Sequence, residues 1–208
     1  MARTRRTPLV FLLSPARCGG ERAALLCRSR SDLGEQLRAD GAELGAVFAW
    51  LSALYFRGKL TYANHFARPQ RGEPGVLVMT PGDGLRPPET RIAADDLRRM
   101  GTIEIQSDAF VQPLRRDAEA LAARVGDRTQ VVLLGSVATS KYIRCLLDVF
   151  GPRLLFPDSF VGRGDMSRGG LLLRAARSGE ELTYAPIEGA VLRGKRPPKL
   201  PRLPRASP

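Results

Sequence analysis

Four short apolar runs, each closed by a polar or glycine-rich loop and divided by helical periodicity, restrict this chain more than any other feature. They are Leu9 to Leu13 before Ser14-Pro15, Val76 to Met79 before Thr80 to Thr90, Gln130 to Leu134 before Gly135 to Lys141, and Leu154 to Phe156 before Pro157 to Arg168. Each is too short to be a buried helix, and its closing loop marks a strand end. Leu182 to Ile187 reads as a last strand. Helical patterns fill the intervals. Glu21 to Leu26 follows Gly19-Gly20, and Ser31-Asp32 caps a helix through Arg38. Glu43 to Phe56 places Leu44, Val47, Phe48 and Leu51 on one stripe, and the pattern continues through Lys59 to Ala67. Asp95 to Met100, Gln112 to Val125, Thr139 to Phe150 and Leu171 to Arg177 complete the set, with Gly162 to Gly170 read as a glycine-rich loop.

Strands alternating with helices predict an α/β fold. We expect one domain over residues 9–190, built on a central mixed or mostly parallel sheet flanked by helices. Such sheets bind ligands at the carboxyl ends of their strands, which is where the polar loops fall. Residues 1–8 read as a basic N-terminal arm and residues 191–208 as a basic, proline-rich, irregular tail.

The charge is uneven. The 208 residues carry a net +12, which favours a polyanionic partner such as nucleic acid. Three arginines in the first six residues and six cations beyond Ala190 account for nine of those charges, leaving the body nearly balanced. Solvated arms and a dedicated binding role are equally good accounts of such ends. No apolar run approaches bilayer length, so no membrane partner is expected. Cys18, Cys27 and Cys145 are odd in number and lack zinc spacing. Reduced thiols, a cytoplasmic setting, and no metal or other cofactor are expected. His65 is the one histidine, so His-dependent triads and His-rich metal sites have little to draw on.

Leu13-Ser14-Pro15-Ala16-Arg17, Gly84-Leu85-Arg86-Pro87-Pro88-Glu89, Leu134-Gly135-Ser136 with Lys141-Tyr142, and Arg163-Gly164-Asp165-Met166-Ser167-Arg168 occur in this order behind successive strands. Together they resemble the YaaA peroxide-stress family and related small bacterial and phage domains of unknown function. Arg17 stands where that family has Lys, and Asp83 where it has a loop Tyr. The resemblance implies an α/β domain with a positive cleft, double-stranded DNA binding and a role in limiting oxidative damage. It brings no defined reaction. The layout is also similar to uracil-DNA-glycosylase-like domains, which keeps glycosidic chemistry on a nucleobase, nucleotide or modified nucleic acid open as an alternative.

Candidate residues divide by chemistry. Ser14, Arg17, Arg57, Lys59, Lys141, Arg163 and Arg168 are expected to contact phosphates of double-stranded DNA or another nucleic acid. Arg163 and Arg168 flank a glycine-rich helix start, where backbone N–H groups and a bidentate guanidinium suit an anion; Asp165 acting as a plain cap is the competing reading. Tyr55-Phe56-Arg57-Gly58-Lys59 interleaves aromatics with cations, as stacking surfaces and ordinary amphipathic helices both do. Asp83, Glu89 and Asp165 are the candidate catalytic carboxylates, provided that acids from two strand ends meet. Cys18 beside Arg17 reads as an inert thiol or a weakly activated one. A small-molecule-binding or assembly protein is the third possibility. Protein partners are left open.

Overall fold

The computed structural model describes residues 6–136 and 140–190, together with Gly194, Pro197, Pro198 and Leu200; the side chains of Ser140 and Lys141 are outside the description. The N-terminal arm up to residue 5 and most of the proline-rich tail lie outside the described residues.

Six strands form one sheet in the order β4-β3-β1-β6-β7-β8. Its centre is β1 (Leu9–Leu13), all five residues buried, paired in parallel with β3 (Val76–Thr80) on one side and β6 (Gln130–Leu134) on the other. β7 (Leu154–Pro157) continues the parallel set beside β6. Continuous apolar sequence is what a strand covered on both faces requires. Two three-residue antiparallel strands, β4 (Gly84–Arg86) and β8 (Tyr184–Pro186), form the edges. A separate two-stranded ribbon pairs β2 (Ala42–Glu43) with β5 (Arg91–Ile92). The sequence pattern did not disclose β2, β4 or β5, because elements so short have no period.

The helices follow the expected pattern. They are α1 (Glu21–Arg28), α2 (Asp32–Arg38), α3 (Leu44–Phe66), α4 (Ala94–Gly101), α5 (Asp108–Val125) and α6 (Ser140–Phe150), with α1, α4 and α5 running a few residues longer than expected. The Ser31 hydroxyl accepts from Gly34 N–H at 3.4 Å and caps α2 as expected. A correction concerns α7, which spans Asp165–Ser178. The segment read as a glycine-rich loop is therefore helical from Asp165 onward, with Gly162 to Gly164 leading into it. Glycine is tolerated there because Gly169 must sit flush against α3, where a methyl group would meet the Leu54 carbonyl oxygen at 2.7 Å.

α3 also departs from a regular helix. Ala53 has φ 45° and ψ −119°, so two helical segments meet there at a kink. A side chain in that region costs on the order of 1–3 kcal/mol and persists only where surrounding packing imposes it. The second segment descends from the carboxyl edge of the sheet, packs against β1 and α7, and carries Tyr55, Phe56, Lys59 and Tyr62 inward.

Candidate functional site

The parallel order reverses direction beside β1, so the loops after β1 and β6 diverge there and leave a crevice. A cleft of about 950 Å³ occupies this position, lined by Ser14 to Gly20 after β1, Pro81 after β3, Ser136 after β6, Tyr55 of α3 and Asp165 of α7. The segment Ile103 to Gln106, after α4, closes one side.

Ser14 is fixed from three directions. Its N–H donates to the Leu134 carbonyl at 3.1 Å, holding the turn to β6. Its side chain lies against Gly135, where a Cβ would stand 2.7 Å from Ser14 Cβ and 2.8 Å from Oγ. Lys59 Nζ donates to the Ser14 carbonyl at 2.6 Å and to Ser14 Oγ at 2.9 Å. Lys59 is only 1% exposed, lies behind Ser14, and forms no ion pair among the described residues. The ring faces of Tyr55 and Phe56 approach its ammonium at 4.7 and 4.8 Å, a cation–π arrangement. Burial pushes the Lys59 amine down to about 7, with the Asp165 charge pulling the other way. An ammonium buried without a counter-ion carries a desolvation cost, which losing the proton removes.

Tyr55 is 7% exposed, and its buried hydroxyl lies beside the Arg168 guanidinium. Burial raises its pKa, opposed by the nearby Arg168 guanidinium. The Tyr142 hydroxyl, also lining the cleft, donates to the Ser136 carbonyl. At the mouth, α1 begins at Gly20 without a side-chain cap, and Arg17 is exposed beside it. That arrangement leaves N–H donors and one cation facing the cleft.

The expected residues do not all meet. Ser14, Lys59, Arg17 and Asp165 gather at or beneath the cleft. Arg57 points outward from α3. Arg163 donates to the Ser159 carbonyl at 3.0 Å, to Ser167 Oγ at 3.2 Å and to the Pro198 carbonyl at 3.4 Å. Arg168 donates to the Phe160 carbonyl at 3.2 Å through Nη2 and lies over the Phe160 ring. Both arginines thus brace the turn before α7. Asp165 makes no side-chain cap bond in the first turn of α7 and lies 3.7 Å from Arg168, the pairing that the structural reading of this segment allows. The Lys141 side chain lies outside the described residues.

The three candidate carboxylates are not brought together. Asp83 is held by a two-pronged ion pair with Arg99, at 3.1 and 2.8 Å. Glu89 is exposed beyond β4, which runs antiparallel and carries it away from the carboxyl edge. Asp165 lines the cleft, and the acid that shares it is Glu104, which has no motif to mark it in the sequence. Burial lifts the Cys18 thiol to about 12, which makes it inert. His65 is exposed at the far end of α3, packed edge-on against Phe66.

Among the described residues, no group of three or more His, Cys, Asp or Glu is placed to hold a metal ion, and no helix is long and apolar enough to cross a membrane. No known family profile matches the chain, and neither a curated protein nor a solved structure proves similar to it.

Proposed function

We propose that this chain is an enzyme acting on a nucleotide or on the end of a nucleic-acid strand, bound in the carboxyl-edge cleft. One observation carries the reading: Lys59 is buried without a counter-ion and bonded to Ser14, a hydroxyl that faces the cleft. Interiors do not keep an unpaired ammonium for stability, so its retention beneath a cleft points to chemistry. Arg17 and the uncapped start of α1 suit a phosphate, and the buried Tyr55 hydroxyl offers a donor deeper in. Two acids on the same cleft, Asp165 and Glu104, also favour an enzyme over a coat for DNA, since they repel an extended polyanion.

Titration with mononucleotides, short single strands and duplex DNA at low salt tests this. Mononucleotide binding weakened about tenfold by Arg17→Ala supports it. Absence of binding by every nucleotide and strand, or affinity indifferent to Arg17→Ala and Tyr55→Phe, overturns it.

A second reading, non-catalytic duplex DNA binding of the YaaA type, rests on the opposite edge of the sheet. There Arg6, Arg68, Arg71 and Arg128 line a depression of about 800 Å³ that contains no acid in its lining. Arg68 is committed to Glu181 at 2.7 Å, while Arg6, Arg71 and Arg128 are exposed. On this reading Arg71→Glu with Arg128→Glu weakens duplex binding and flattens its salt dependence by about two to four counterions. Unchanged binding by that variant removes the amino edge from consideration.

A further inference from the structure

We propose that Ser14 is a nucleophile and Lys59 its general base, together hydrolysing a phosphoester through a covalent phosphoserine intermediate. The choice of a phosphoester rests on the nucleotide reading of the cleft; the assignment of the two residues rests on their own geometry.

A serine hydroxyl is a weak nucleophile unless a neighbouring base removes its proton. In this chain the neighbour is an amine. Nζ lies 2.9 Å from Oγ, within the range in which a proton passes between heavy atoms. The 2.6 Å bond to the Ser14 carbonyl fixes the amine a second time, so Nζ cannot swing away from the hydroxyl. Gly135 makes room for this side chain, since a Cβ there would stand 2.8 Å from Oγ. The pair is thus oriented before any ligand arrives, which is what covalent catalysis asks of its first two groups.

The amine must be neutral to act. Its burial and the absence of a partner carboxylate favour that state, and the value of about 7 leaves close to half of it unprotonated at neutral pH. Asp165 of α7 is the charge that acts on it, keeping it from falling further. Arg168 of α7 and Tyr142 of α6 act on Tyr55, and Cys18 in the same wall stays a thiol. An arginine at position 59 could not serve, because a guanidinium does not release its proton.

The step balances without an outside reagent. Ser14 Oγ attacks phosphorus, the Oγ–P bond forms, and the bond to the leaving oxygen breaks. The Ser14 proton passes to Lys59 Nζ and from there to the leaving oxygen. Water then attacks the phosphoserine, Lys59 takes a proton from it, the Oγ–P bond breaks, and that proton passes from Nζ to Oγ, restoring both Ser14 and the neutral amine. The sum is one water consumed per ester cleaved.

A fluorophosphonate probe tests the pair without knowledge of the substrate. Oγ attacks its phosphorus, the P–F bond breaks, fluoride leaves, and Lys59 receives the proton. The expected result is one adduct by intact mass, located on the peptide containing Ser14, lost in Ser14→Ala and slowed at least tenfold in Lys59→Met and Lys59→Arg alike. In the wild-type chain the labelling rate should climb through about pH 7 and level off above it. No adduct on Ser14, or a rate flat from pH 5.5 to 8.5, overturns the assignment even if the Lys59 variants fail to fold. Labelling at Ser14 in a chain that binds no nucleotide keeps the pair and overturns the phosphoester of a nucleotide as its substrate. Nucleotide binding without labelling does the reverse.

Discussion

Gly58 of α3 and Gly169 of α7 face each other so closely that a methyl group on Gly58 would stand 2.7 Å from the Gly169 carbonyl oxygen. Each of these glycines adjoins a cation, Lys59 of the candidate site after one and Arg168, which braces the turn before α7, before the other. The crossing therefore sets how far the buried amine lies from α7 and from Asp165. Gly169→Ala should cost about 1–3 kcal/mol through overpacking, and it should also weaken ligand binding. Gly170→Ala, with its nearest neighbour 3.7 Å away at Leu200, should cost under about 0.5 kcal/mol. Urea denaturation of the two variants compares them directly; equal losses would mean that the helices adjust freely.

Lys59 gives stability a defined dependence on pH. Its folded-state value of about 7 lies below the ordinary 10.5, so between these values the unfolded chain holds the proton more tightly. Its contribution is thus neutral above pH 10.5, grows unfavourable as pH falls, and is complete below about 7. Relative to wild type, Lys59→Met should gain on the order of several kcal/mol as pH falls from 10 to 7. Chemical denaturation across that window measures the difference, and a constant offset would show that the amine keeps its proton in the fold.

Ala53→Gly should raise stability by about 1 kcal/mol, because glycine adopts the φ of 45° found there without steric penalty. In an ordinary helix interior the same change lowers stability by a similar amount. The sign of the shift in denaturation midpoint therefore reports directly on the kink beside Ser52 and Tyr55.

Arg168→Ala should cost about 1–3 kcal/mol, since the change removes the charge-assisted bonds to the Phe160 carbonyl, which keeps only that from Arg163 N–H, and takes the cation from its ring. Read from sequence, the two arginines of this segment are candidate phosphate ligands, a role that would leave thermal stability almost unchanged on their loss. Thermal unfolding of Arg168→Ala separates the two roles.

What could be read without coordinates was whatever repeats with a period or ends in a turn. Four buried strands and most helix limits follow from such signals, and so does the placing of a site at the strand ends. Lys59 was legible too, though differently from how a cation beside aromatics first reads. It falls on the same stripe as Phe48, Leu51, Tyr55 and Tyr62, and so had to turn inward with them, whereas Arg57 falls off the stripe and faces out. The kink at Ala53 left no trace, because alanine reads as the best helix former and positive φ is uncommon for any residue but glycine. Nor did the partner of each acid: that Asp83 would find Arg99, and that Glu104 would reach the cleft, depends on how distant segments pack.

Both margins of the six-stranded sheet are closed to further strands. On one side, the outward N–H of Leu85 in β4 donates at 2.9 Å to Asp117, reached from α5, so that the helix takes the donor another chain would need. On the other, β8 is three residues long and ends in Pro186, which has no N–H to offer. Copies of this chain should therefore not join edge to edge into longer sheets or fibrils, even when concentrated. Asp117→Ala should open one of those margins, and its first symptom would be loss of solubility on storage, with the cleft on the carboxyl side unaltered.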